Sequence, residues 1–191
     1  NGVGNDQSHS DNAGKARCAL NPRTMQSKKY KIVPAKKSKK IAVIGGGIGG
    51  MEAARVCALR GHKVTVYEKK DVLGGVFIAA AAPSFKEKDR ELLAWYEKEM
   101  KDLGIEIRLN TEVTDISGLN ADEIIVATGS KPRKLRVKGA EKGVEACDYL
   151  FGNKEVGQKV IIIGGGLSGC EIALDLFKKG KTPVIVEMKN D

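Results

Sequence analysis

Two stretches of this 191-residue chain repeat one another closely enough to constrain everything between them. Residues 41–68 read IAVIGGGIGGMEAARVCALRGHKVTVYE, and residues 159–187 read KVIIIGGGLSGCEIALDLFKKGKTPVIVE. Gly45, Gly47 and Gly50 reappear as Gly164, Gly166 and Gly169, each 119 positions later (164 − 45 for the first pair). The same displacement carries Glu52 to Glu171, Gly61 to Gly180 and Glu68 to Glu187. Each copy opens on an apolar run of strand length, passes through G-x-G-x-x-G into a helical stretch, and ends on a second strand tipped by an acid. In this pattern the first glycine permits a tight strand-to-helix turn, the second lets the backbone approach a pyrophosphate, and the third packs helix on strand. The helix N-terminus offers unpaired N–H groups and partial positive charge to the phosphates. Glu68 and Glu187 stand where a carboxylate accepts both hydroxyls of an adenosine ribose. A repeat that only packs would not need that acid twice, so two dinucleotides held near each other, with electrons passing between them, are expected.

Composition bounds the rest. Hydrophobic residues make up 41% and charged residues 30%, as in a globular protein. No apolar run nears the ~18 residues of a membrane span. The polar, glycine-rich N-terminus is not a signal peptide, and the chain begins at Asn1, as a processed chain or excised piece would. The net charge is +9, yet the first 40 residues hold ten Lys or Arg against Asp6 and Asp11. That leaves 23 basic and 22 acidic groups elsewhere (33 − 10 and 24 − 2). The arm is read as solvated or packed on another region, with no nucleic-acid partner. Cys18, Cys57, Cys147 and Cys170 contain no C-x-x-C pair, which points to no disulfide framework and to the cytoplasm. Cys57 and Cys170, on the post-glycine helices, are expected as buried small apolar residues.

In order, residues 1–38 are a basic arm, 39–155 a first nucleotide-binding domain, and 156–191 the start of a second. The first helix is expected over Met51 to Leu59. Residues 71–83, DVLGGVFIAAAAP, lack side-chain bulk and can lie close to a flat ligand. Phe85 to Leu103 is an amphipathic helix with Leu92, Leu93, Tyr96 and Met100 on one side and Gly104 as its stop. Ile105 to Leu109 and Glu112 to Ile116 alternate like half-buried strands, and Glu123 to Ala127 is a short buried strand. Thr128-Gly129-Ser130 follows at its carboxyl end, where open α/β sheets bind ligands. A short helix is expected within Val144 to Phe151. The fold class is therefore α/β: a Rossmann-like parallel sheet with flanking helices, followed by the opening βαβ of a second, truncated unit.

These motifs resemble the two-dinucleotide-domain flavoproteins. The run CALNPRT at Cys18 to Thr24 is similar to the junction before the FAD domain in the family of old-yellow-enzyme-like 2-enoate reductases, 2,4-dienoyl-CoA reductases and trimethylamine dehydrogenase. The resemblance implies an FAD- and NAD(P)H-dependent oxidoreductase whose remainder is a flavin-bearing (β/α)8 barrel, with a [4Fe-4S] cluster between. It places Gly45, Gly47 and Gly50 at the FAD pyrophosphate, Glu68 at the FAD ribose, and Gly75, Thr128 and Gly129 near the rest of the FAD. Gly164, Gly166 and Gly169 would take the pyrophosphate of NAD(P)H and Glu187 its ribose. A carboxylate at that ribose repels a 2′-phosphate, so NADH is favoured over NADPH.

The family holds its cluster through C-x2-C-x3-C and a fourth cysteine before Asn-Pro. Cys18 matches the fourth, but Asn1, Gly4 and Ser8 fall on the other three, and one thiolate cannot hold the cluster. No catalytic residue and no metal ligand set follow from the residues. Two readings stay open: an electron-transfer module passing a hydride from NADH to FAD, and an ADP- or FAD-binding piece without turnover of its own.

Overall fold

The structure, a computed structural model, describes Cys18 and residues 24–189. Its first unit is built on β1 (Lys40–Ile44), whose four consecutive apolar residues Ile41 to Ile44 are all buried. A strand with no polar alternation suits an interior position in a parallel sheet. β1 takes that position: with β2 (Lys63–Tyr67), β3 (Glu106–Arg108) and β4 (Glu123–Val126) it forms a four-stranded parallel sheet of order β3-β2-β1-β4. The registers set Ile44 beside both Tyr67 and Val126, so the ends of β1, β2 and β4 lie level.

Two helices cover one face. α1 (Ile48–Leu59) follows β1 directly, and α3 (Glu87–Asp102) packs beside it through Tyr96 and Met100, which meet Met51, Ala54, Val43 and Val66 in the core. α1 begins three residues before the expected Met51 because Gly49 and Gly50 enter its first turn. α3 matches the predicted amphipathic helix, and Gly104 ends it at φ +62°. The glycine- and alanine-rich segment carries the single-turn α2 (Phe77–Ala80), with Ala79 and Ala81 buried. On the opposite face β2 shows Thr65 and Tyr67; Thr65 Oγ1 donates to Glu106 at 2.9 Å and Arg108 lies 5.4 Å from the Tyr67 ring centre.

Two strand expectations are corrected. Residues 112–116 form no strand: their alternation finds no partner strand, and Asp115 accepts the Ser117 N–H at 2.9 Å and hydroxyl at 2.6 Å, a local turn that competes with a ladder. β4 is an edge strand and only half-buried, with Val126 69% exposed.

The connection carries one 3₁₀ turn and α4 (Ala146–Leu150), inside the predicted helical stretch. The second unit is β5 (Lys159–Ile163), α5 (Leu167–Lys178) and β6 (Thr182–Val186), with β5 and β6 parallel. Ile172 and Leu176 of α5 are buried, whereas Ile161 and Ile163 are 71% and 66% exposed. Among the described residues no helix is long and apolar enough to cross a membrane.

Met100 is wholly buried at the meeting of α1, α3 and the sheet. Met100→Ala should lower the stability of the first unit by ~2–5 kcal/mol. Urea unfolding followed by the fluorescence of the single tryptophan, Trp95 on α3, reads this directly.

Candidate functional site

The first cradle forms where β1 meets α1. Gly45 turns the chain at φ +108°, and its N–H donates to the Tyr67 carbonyl at 2.8 Å. A Cβ on Gly45 would lie 2.3 Å from the Ala127 carbonyl oxygen, and one on Gly50 would lie 1.9 Å from the Gly45 carbonyl oxygen. Both contacts are impossible for a side chain, so these glycines are required by close packing. Gly47 differs: a Cβ there meets nothing nearer than the Gly75 Cα at 3.9 Å. It faces open space at the start of α1, whose first intrahelical bond runs from the Met51 N–H to the Gly47 carbonyl. The N–H groups before Met51 thus have no acceptor within the helix.

Glu68, only 6% exposed, ties β2 to this turn. Its Oε2 accepts the Gly46 N–H at 2.6 Å and its Oε1 the Lys70 N–H at 2.9 Å. Each oxygen keeps a further lone pair that a hydroxyl can use. Gly74 bridges to Gly47 and donates its N–H to the Gly46 carbonyl, which brings Gly75 (φ +57°) against Gly47. Thr128 follows β4, with its Cα 3.2 Å from the place of a Gly45 Cβ, and Gly129 (φ +74°) comes next. Gly45, Gly47, Gly50, Glu68, Gly75 and Thr128 therefore converge at the carboxyl ends of β1, β2 and β4, with Gly129 one residue beyond.

The second cradle copies the first. Gly164 turns at φ +109° with its N–H on the Val186 carbonyl at 2.9 Å, a Gly169 Cβ would sit 2.0 Å from the Gly164 carbonyl oxygen, and Gly166 faces open space. Glu187 accepts the Gly165 N–H at 2.6 Å through Oε2, and those of Met188 and Lys189 at 2.7 and 2.9 Å through Oε1. These N–H groups, Lys189 foremost and then Gly165 and Met188, hold its carboxyl below the ordinary glutamate range. Cys170 corrects an expectation: it is exposed and its thiol donates to the Gly165 carbonyl at 3.2 Å, whereas its counterpart Met51 is buried. Among the described residues the second sheet has no third strand to cover that side.

The middle glycines, Gly46 and Gly165, escaped the motif reading. A Cβ on Gly46 would meet Leu73 Cδ2 at 2.5 Å and Glu68 at 3.1 Å, and one on Gly165 would meet Glu187 at 3.1 Å. The unbroken Gly-Gly-Gly in both copies was their signal. Glu52 accepts from Arg55 at 2.7 Å and from the Tyr96 hydroxyl at 3.2 Å; burial first, then Glu52, pushes the Tyr96 phenol up to about 12. Asn1, Gly4 and Ser8, the positions that bear on a cluster, lie outside the described residues. Among the described residues no three His, Cys, Asp or Glu side chains converge as metal ligands.

Paired helix N-termini, each with an open glycine and a strand-end carboxylate, fit a phosphate and a sugar diol at each cradle. The pyridine nucleotide-disulphide oxidoreductase family matches the chain over residues 10–121 and 39–191, and the chain belongs to that family. It is 52% identical over 176 residues to a cinnamate reductase of Clostridium sporogenes, covering 91% of this chain and 26% of that protein. It is 41% identical over 184 residues to an NADH oxidase of Thermoanaerobacter brockii, covering 92% of this chain and 28% of that protein. A solved 2-naphthoyl-CoA reductase superposes with a TM-score of 0.83 at 34% identity, over 88% of this chain and 26% of that one. The resemblance to the 2-enoate reductase group, read from CALNPRT and the glycine motifs, is borne out. The chain spans about a quarter of the length of these relatives.

Gly50→Ala should abolish folding of the first unit or lower its thermal midpoint by many degrees, while Gly47→Ala should leave the midpoint nearly unchanged; thermal denaturation of both variants checks this. For Glu187 the N–H bonds favour the ionised form. Their stabilisation is present above the ordinary glutamate value of 4.5 and is lost as pH falls through the lower folded-state value. Carbon-13 NMR titration, with Glu187→Gln to assign the signal, should give a midpoint below 4.5.

Proposed function

We propose that the chain is the electron-transfer part of an NADH-dependent flavin oxidoreductase of the 2-enoate reductase type. The duplicated cradle carries this reading: one fold of glycines, helix N-terminus and acid would serve each of two adenine dinucleotides. Residues 39–155 would hold FAD, with Gly45, Gly47 and Gly50 at its pyrophosphate, Glu68 on its ribose, and Gly75, Thr128 and Gly129 along the remainder. Residues 156–191 would begin the NADH domain, with Gly164, Gly166 and Gly169 at the pyrophosphate and Glu187 on the adenosine ribose. Bound flavin would supply a hydride acceptor and bound nicotinamide the hydride. The chain's own work is to bind and orient. Helix N–H groups would neutralise phosphate charge, and each acid, pre-ordered by the N–H of Gly46 or Gly165, would meet the ribose diol with its remaining lone pairs.

Glu187 also supports a preference for NADH. Its carboxyl stays ionised well below neutral pH, so a 2′-phosphate would bring like charges together. In the whole enzyme a flavin-bearing barrel would receive the electrons, since the chain spans about a quarter of its relatives. A [4Fe-4S] cluster is no part of this proposal, because Asn1, Gly4 and Ser8 are not thiolates.

Anaerobic mixing of the FAD-loaded chain with NADH should bleach the oxidised flavin band, with NADH preferred over NADPH by about tenfold and the preference falling towards parity in Glu187→Ala. The exposed outer face of β5, with Ile161 and Ile163 open, favours a second reading in which the chain binds nucleotide without turnover. In that case calorimetry would show ADP binding, lost in Gly47→Asp, and no bleaching would occur.

A further inference from the structure

Glu171 is the counterpart of Glu52, yet its partners differ. Glu52 is satisfied inside its own unit by Arg55 and Tyr96. The position matching Arg55 in the second copy is Leu174 (55 + 119), and no equivalent of α3 stands beside α5 among the described residues. Glu171 instead crosses to the first unit, where its Oε1 accepts from Lys86 Nζ at 2.5 Å. Both side chains are largely shielded, 24% and 28% exposed, and the bond to Glu171 raises the Lys86 pKa. Two turns further along the same stripe of α5, Lys178 Nζ lies 5.0 Å from the centre of the Phe85 ring. The Phe85-Lys86 step, just ahead of α3, is thus gripped twice by one helix. That helix starts at Leu167, four residues before Glu171, so the grip lies about one turn from the second cradle.

We propose that Lys86 and Glu171 form a clasp that fixes the second cradle against the first. This rests on the electron-transfer reading above and deepens it. Lys86 and Glu171 are positioning residues: they would set the separation of the two bound nucleotides. Loss of the clasp should slow transfer between the nucleotides while leaving the affinity of each cradle intact, because the glycines and Glu68 or Glu187 that define the cradles are untouched.

The first test does not depend on turnover. A zero-length carbodiimide joins an ammonium to a carboxylate in direct contact, with loss of one water. Treatment of the intact chain followed by peptide mass spectrometry should yield a Lys86–Glu171 amide, absent in Lys86→Gln; its absence from the wild-type chain would overturn the clasp. The second test is a double-mutant cycle on FAD-loaded protein. Lys86→Gln and Glu171→Gln should each slow NADH-driven bleaching by about tenfold or more, with ADP affinity held within about twofold. The double variant should lose no more than either single one. Wild-type rates in the single variants, or losses that multiply, would refute the pairing. Should the wild-type chain not bleach at all, the electron-transfer reading fails, and the clasp is judged on the cross-link alone.

Discussion

A single hydrogen bond, made twice, governs this architecture. The acid at the tip of the second strand reaches back to the middle glycine of the turn after the first: Glu68 to Gly46 and Glu187 to Gly165, each at 2.6 Å. An N–H bonded to an ionised carboxylate is stronger than one bonded to a neutral acceptor. It locks the turn at the same place where the first glycine must take a positive φ and the third must lie against the first one's carbonyl. Strand spacing, helix start and the opening beside the second glycine all follow from that tie. Glu68 is buried, so it needs its two N–H partners on folding.

The two copies then diverge through their surroundings. Around the first, the Ala127 carbonyl presses on Gly45, Leu73 closes over Gly46, and Met51 fills the core. Around the second, a Gly164 Cβ would meet nothing within 4 Å, and Cys170 stands exposed where Met51 is enclosed. The shared cradle is thus a local construction of one strand, one turn, one helix and one acid. Enclosure of the cradle is a separate property, supplied in the first unit by β4, α3 and the Leu73-Gly74-Gly75 strap.

That division explains what could be read from the residues. The glycine turns, β1, α1, α3 and the acid-tipped strands depend on neighbours within about 25 positions and on strict spacing, and they were legible. Residues 112–116 alternate like a strand, yet pairing requires a partner that the sheet does not offer them, and Asp115 makes a turn with Ser117 instead. The apolar run of β4 signalled burial, but burial depends on strand order, and β4 lies at an edge. The apolar setting of Cys170 failed for the same reason. Lys86 and Glu171 are 85 positions apart, and neither carries a local sign of the other.

The connection between the units shows how such long-range ties build on one another. Asp175 is 1% exposed, and its Oδ2 accepts from the Tyr149 hydroxyl and from Lys179 Nζ, both at 2.7 Å. Its Oδ1 has no partner among the described residues, at a cost on the order of 1–3 kcal/mol. That cost is offset by anchoring α4 to α5 through Tyr149. Two residues on, Phe151 takes the Lys70 ammonium over its ring at 4.6 Å. The Lys70 backbone N–H is the one that holds Glu68 Oε1. The acid of the first cradle is therefore steadied by a residue that also touches the connection, and the connection is pinned to the helix of the second. Orientation of one cradle relative to the other is set by this line of contacts on one side and by the Phe85-Lys86 grip on the other. A single tether would leave α5 free to swing about it; two separated ones remove that freedom.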